Sequence, residues 1–166
     1  MKPALLIIDM QQAFLNHPRI QSEIPGACEY INAVADLFRE AGRPVVVVQD
    51  KDGGEGTPGY EVIPEVKLVE SDLRISKAWN NSFWKTDLEQ ILRDQETDFV
   101  VVCGFAAEHC VTFTFNGAVE RGFGAAILQK GILGEHPDAV ATVYRDRSLI
   151  SYSVIRAILK QADRKS

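Results

Sequence analysis

Short apolar runs alternate along the chain with stretches in which apolar positions recur every three or four residues. Ala4-Leu5-Leu6-Ile7-Ile8, Pro44-Val45-Val46-Val47-Val48 and Phe99-Val100-Val101-Val102-Cys103 would be apolar on both faces of a strand. Such runs mark central strands of a sheet covered by helices on both sides. Gly124-Ala125-Ala126-Ile127-Leu128 reads as another strand, and Leu73-Arg74-Ile75-Ser76 and Leu149-Ile150-Ser151 as short ones. Between them, Ala27, Ile31, Val34, Phe38 and Ala41 share one helical face, introduced by Pro25-Gly26 and stopped by Gly42. Thr86-Asp87-Leu88-Glu89 has capping-box spacing and leads into Ile91 and Leu92. Further helices are expected along Val111, Phe115, Ala118 and Val119, over 138 to about 146, and along Val154, Ala157 and Ile158. The alternation predicts the α/β class: a three-layer α/β/α sandwich around a mostly parallel sheet of about six strands. No linker or repeat divides residues 1–166, so one domain is expected.

Composition narrows the function more than the fold. A chain of 166 residues, 46% apolar, suits one substantial core. Net charge of -5 with no block of like charges argues against nucleic acid or an anionic membrane as partner. The apolar runs are too short to span a bilayer, and the first residues do not read as a signal peptide. Three cysteines (28, 103 and 110) form no CxxC pair and leave at least one unpaired. That pattern fits free thiols in a reducing cytoplasm, and a cytoplasmic protein is expected. Histidines 17, 109 and 136 match no familiar zinc spacing.

The stretch 98–123 concentrates the candidate chemistry. A buried strand breaks at Gly104, and a helix follows whose first residues include Cys110. Unpaired backbone N–H groups and the helix dipole there favour thiolate over thiol. Read alone, Cys110 also suits a small buried hydrophobe. Asp9, directly after the first strand, lies where open α/β sheets place their ligand crevice, or else caps the next turn. Lys77, after the third strand, would alone read as a surface lysine. Because all three follow strands of a parallel sheet, they can converge at one edge. There the ammonium would stabilise a thiolate while the carboxylate moves its proton. The Gly- and Pro-rich segment 53–64 predicts a mobile loop at the same end, suited to a lid or an oligomer contact or simply solvated. Trp79, Phe83 and Trp84, in a polar turn, suggest a pocket wall or an interface.

Taken together, these segments resemble the isochorismatase-like cysteine hydrolases, which include nicotinamidases and N-carbamoylsarcosine amidase. The matching motifs are the strand ending in Asp9-Met10-Gln11 with Phe14, Ile75-Ser76-Lys77 with Phe83, and Gly104-Phe105-Ala106-Ala107-Glu108-His109-Cys110-Val111. The resemblance implies a catalytic Asp9, Lys77 and Cys110 in a Rossmann-like sandwich. It also implies a cis peptide at Phe105–Ala106, with the N–H groups of Ala106 and Cys110 forming an oxyanion hole. Phe14, Trp79, Phe83 and Phe105 are expected to bind the substrate, a small carboxamide or carbamoyl compound cleaved through a thioester. A homo-oligomer is expected as well.

Two departures limit the match. Metal-binding nicotinamidases carry Asp-x-His after the second strand. Here the run is Asp50-Lys51-Asp52, and no histidine occurs between His17 and His109. Two carboxylates could hold a hard cation weakly, but no catalytic metal or other cofactor is expected. Ala107 stands where many relatives have threonine. His109 points about 100° from Cys110 on a helix and is read as a packing or interface residue. Vinyl-ether cleavage of the isochorismatase type, releasing pyruvate, and a non-catalytic thiol sensor on the same fold stay open as alternatives.

Overall fold

The computed structural model describes residues 1–163, and the apolar runs form its centre. Strands β1 (Pro3–Ile8), β2 (Val45–Asp50), β3 (Leu73–Lys77), β4 (Phe99–Gly104), β5 (Gly124–Ile132) and β6 (Leu149–Ile150) make one sheet in the order β3-β2-β1-β4-β5-β6. Every pairing is parallel. Residues along β1 alternate between two cores, as the two-residue period of a strand requires. Leu5 and Ile7 pack beneath α1 (Pro18–Glu40) and α5 (Tyr152–Asp163). Ala4, Leu6 and Ile8 pack beneath α2 (Leu88–Asp94), α3 (Thr112–Glu120) and α4 (Ala139–Asp146). No helix among the described residues is long and apolar enough to cross a membrane.

Two local readings need correction and a third gains detail. Helix α1 opens at Pro18 rather than at Pro25. The His17 ring accepts the Arg19 N–H at 3.2 Å, and proline is preset for the first helical position. Pro25 lies inside the helix, where it cannot donate an i→i−4 bond. Cys110 lies in the first turn of the helical segment as expected, but that turn, Ala107–Val111, is π-type, its Val111 N–H reaching the Ala106 carbonyl at 3.1 Å, and it runs directly into α3. The segment 53–64 is stitched to the residues after Asp9. The Gln12, Ala13 and Ile63 amides bond to Glu61, Gly59 and Met10 carbonyls at 2.9 Å each.

The sheet register brings four strand ends together: Ile8 lies opposite Val48 and Gly104, and Asp50 opposite Lys77. Gly104 is required at that edge. Its φ is +109°, and a Cβ there would sit 2.1 Å from the Ile8 carbonyl oxygen. Its own carbonyl accepts the Leu133 N–H at 2.9 Å, and the Leu133 carbonyl accepts that of Ala107 at 2.8 Å. The turn carrying Cys110 is thereby fastened to the end of β5.

Candidate active site

Asp9 leaves β1 with φ +48°, a left-handed conformation that aspartate tolerates better than most residues. Its N–H donates to the Val48 carbonyl at 3.0 Å, and its carbonyl accepts the Gln11 N–H at 2.8 Å. The side chain, 2% exposed, is thus held at the carboxyl edge of the sheet. Lys77, equally buried, reaches the same point from β3. Its Nζ lies 2.8 Å from Asp9 Oδ2, donates to Cys110 Sγ at 3.4 Å and makes a short bond to Asp50 Oδ2. Cys110 Sγ also faces Asn80 Oδ1 at 3.5 Å. Asp9, Lys77 and Cys110, far apart in the chain, therefore converge.

Asp50 is the partner that the sequence pattern did not single out. Its Oδ1 accepts the Asp52 N–H at 3.0 Å while Oδ2 holds the lysine. Gln11, wholly buried, clamps its backbone twice: Nε2 donates to the Asp50 carbonyl at 3.0 Å, and Oε1 accepts the Asp50 N–H at 2.7 Å. Asn80 is a second omission. Its turn is tied to α3 by buried Thr114, whose Oγ1 lies 2.7 Å from Ser82 Oγ and accepts the Ser82 N–H at 3.1 Å.

Electrostatics set the resting protonation. Burial raises the Asp9 pKa to about 6, against the pull of Lys77 and the thiol. Burial alone would lower that of Lys77, but the carboxylates of Asp9 and Asp50 and the Cys110 sulfur overcome it and raise it. The Cys110 thiol is pushed up to about 12 by burial and by facing Asp9, with Lys77 opposing. The resting sulfur is therefore a thiol, contrary to the expectation of a preformed thiolate. Burial first, and the Asp9 carboxylate second, hold the proton on the sulfur. Asp9 Oδ1 is buried and has no hydrogen-bond partner among the described residues.

A cleft of about 320 Å³ opens over these groups, lined by Asp9, Phe14, Asp50, Asp52, Asn80, Phe105, Ala106, His109, Cys110 and Glu135. Phe14 and Phe105 thus line the cleft. Trp79 and Phe83 do not. Phe83 is turned into the core beneath α2 and α3, its ring 5.9 Å from that of Phe123. Trp79 is half-exposed outside the cleft, near Lys85. Of the two roles expected for His109, packing or interface, the half-exposed ring at the cleft rim excludes packing; its Nε2 lies 3.3 Å from Glu135 Oε2. The Phe105–Ala106 peptide is cis. The Ala106 N–H has no acceptor among the described residues, and Ala106 borders the cleft.

Carboxylate oxygens of Asp9 and Asp50 and the Cys110 sulfur lie within 4.8 Å of one another, close enough for a metal ion. The Lys77 ammonium already stands among all three, and both oxygens of Asp50 are engaged. The donor set does not fit a zinc centre, which requires ligands free of competing cations.

The isochorismatase domain matches residues 3–156 of this chain. The isochorismatase family protein YrdC of Bacillus subtilis is 32% identical over 133 residues, spanning 76% of this chain and 71% of that protein. Among solved structures, N-carbamoylsarcosine amidase from Thermoplasma acidophilum superimposes with a TM-score of 0.76 at 29% identity, covering 87% of this chain and 92% of that one. The pyrazinamidase of Pyrococcus horikoshii in complex with zinc gives a TM-score of 0.76 at 28% identity, covering 92% and 100%.

Proposed function

The chain belongs to the isochorismatase family of hydrolases, and from that premise we propose a metal-independent cysteine amidohydrolase acting on a small carboxamide or carbamoyl compound. The observation that carries this reading is the buried Lys77 ammonium, which faces Asp9, Asp50 and Cys110 beneath an open cleft.

The steps follow from the charges. The Cys110 thiol gives its proton to Asp9, which borders the cleft and whose buried Oδ1 has no hydrogen-bond partner among the described residues. With that proton on Asp9, the carboxylate's repulsion is gone and the attraction of Lys77 remains, so the sulfur becomes a competent nucleophile. It attacks the carbonyl carbon, and the developing oxyanion is received by the Ala106 and Cys110 N–H groups. The C–N bond breaks as Asp9 returns the proton to the leaving nitrogen, which departs as ammonia. A thioester is left on Cys110. Water then gives a proton to Asp9 and attacks the thioester, the C–S bond breaks, and the thiol is restored beside a carboxylic acid product. Lys77 keeps its charge throughout.

An ammonia-release screen over small amides and carbamoyl compounds tests the reading. A substrate whose turnover disappears in Cys110→Ala supports it, and unchanged turnover in that variant refutes it. Release of pyruvate rather than ammonia would place the chemistry with vinyl-ether cleavage instead. Homo-oligomerisation through the half-exposed Trp79 and Trp84 belongs to the same reading. A strictly monomeric mass by light scattering would contradict that part.

A further inference from the structure

Charge is unevenly shared between the floor and the mouth of the cleft. Four carboxylates line it (Asp9, Asp50, Asp52 and Glu135), against one buried ammonium, that of Lys77. Taking four formal negative charges against one positive leaves an excess of three before His109, whose Nε2 lies 3.3 Å from Glu135, is counted. The flanking cations do not restore the balance. The Arg19 guanidinium is engaged by the Gly134 and Glu135 carbonyls at 2.9 and 2.5 Å and by Glu23 at 3.1 Å. Lys51 is exposed and does not line the cleft. At the floor, Asp9 is 2% exposed, and its Oδ1 has no partner among the described residues, although Asp9 borders the cavity. A negative group entering this space would meet net repulsion inside low-dielectric walls, which focus the field. A positive one would be drawn in.

We infer that the cleft selects cationic substrates: a small amide whose non-reacting end bears an ammonium or guanidinium-type group, received by Asp52 and Glu135 while the carbonyl meets Cys110. This rests on the amidase reading for the reacting end, but the charge preference can be measured without any turnover.

Cys110 is itself the probe. Methanethiosulfonate reagents bearing trimethylammonium, sulfonate or methyl groups differ in charge and transfer their thioalkyl group to a thiolate, forming a disulfide and expelling methanesulfinate. Cys28 and Cys103 are buried in the core, and peptide mapping assigns the modified residue. On metal-stripped protein at low salt, the cationic reagent should react at least about tenfold faster than the anionic one. The ratio cancels the thiol's intrinsic reactivity. It should fall about threefold in Asp52→Asn and again in Glu135→Gln, and shrink as salt is added. A ratio near one, a preference for the anion, or a ratio unmoved by both substitutions overturns the inference. So does loss of the preference on adding stoichiometric Mg²⁺ or Mn²⁺, which would make the mouth a metal site.

Ammonia release from 6-aminohexanamide, hexanamide and the monoamide of adipic acid separates the two proposals. Highest kcat/KM for the aminated amide supports the cationic class. A better neutral or anionic amide overturns it and leaves the amidase reading standing. Ammonia from none of the three counts against the amidase reading for compounds of this size, and the reagent ratio still decides the charge preference.

Discussion

Replacing Thr114 by valine keeps the shape of a fully buried side chain and removes only its hydroxyl. That hydroxyl accepts the Ser82 N–H at 3.1 Å, lies 2.7 Å from Ser82 Oγ and contacts the Asn80 carbonyl at 3.4 Å. Thr114 and Ser82 are both 0% exposed, so water cannot replace the lost bonds. Leaving a buried polar group unpaired costs about 1–3 kcal/mol, and two groups of Ser82 are affected, so about 2–6 kcal/mol is expected. Thr114→Ser keeps the hydroxyl and removes one methyl, at about 1 kcal/mol. Urea unfolding of the two variants against the parent gives the comparison, read from the midpoints with the slopes checked for constancy. Because the same turn carries Asn80, 3.5 Å from Cys110 Sγ, kcat/KM should fall in the valine variant and largely return in the serine one. A valine variant as stable as the serine variant would refute the role assigned to this hydroxyl.

Other expectations follow from the same geometry. Since burial raises the Asp9 pKa to about 6 and the base must be ionised, kcat/KM should rise with pH through an acid limb near 6. In Asp50→Asn the limb should move down, because Asp50 contributes to raising Asp9; a profile unmoved by the substitution contradicts that linkage. Lys77→Met removes a charge that lowers the Asp9 pKa, so folded Asp9 holds its proton to a higher pH than in the parent. A group whose folded pKa is raised gives stability that is present below its unfolded value and lost as pH rises through the folded one. The stability deficit of Lys77→Met should therefore widen by about 1 kcal/mol per pH unit as pH rises above about 6, and a constant deficit in denaturation curves would contradict this. Gly104→Ala meets the Ile8 backbone at 2.1 Å and should lower stability by more than about 3 kcal/mol, seen as a loss of several degrees or more in Tm.

The sheet was legible because its strands are buried on both faces. Runs such as 4–8 and 99–103 carry no polar position to blur their period. Helix α1 was read too short because Pro25 is a strong local breaker, whereas tertiary burial of Ile20 and Ile24 extends the helix across it. The meeting of Asp9, Lys77 and Cys110 could be anticipated from strand ends in a parallel sheet, which share an edge whatever the loops do. Asp50 was legible only as a position after β2. Its pairing with Lys77 depends on the β2–β3 register and on the Gln11 clamp, and neither leaves a local mark. Phe83 and Trp79 went astray because aromatic content in a turn does not say which way a ring faces. Anchorage of Ser82 to Thr114 holds the segment beside Phe83, which packs inward. The protonated state of Cys110 could not be read from the turn alone, since it depends on burial of the sulfur and then on a carboxylate supplied by β1.

The central claim is that the Cys110 sulfur becomes covalently acylated during turnover. Mixing the protein with an amide found by the ammonia screen, quenching in acid and measuring intact mass tests it directly. The account predicts a transient increase equal to the amide mass less ammonia, mapped to the peptide containing Cys110 and absent from Cys110→Ala. Turnover with no adduct at any quench time, together with full activity of Cys110→Ala, would contradict it.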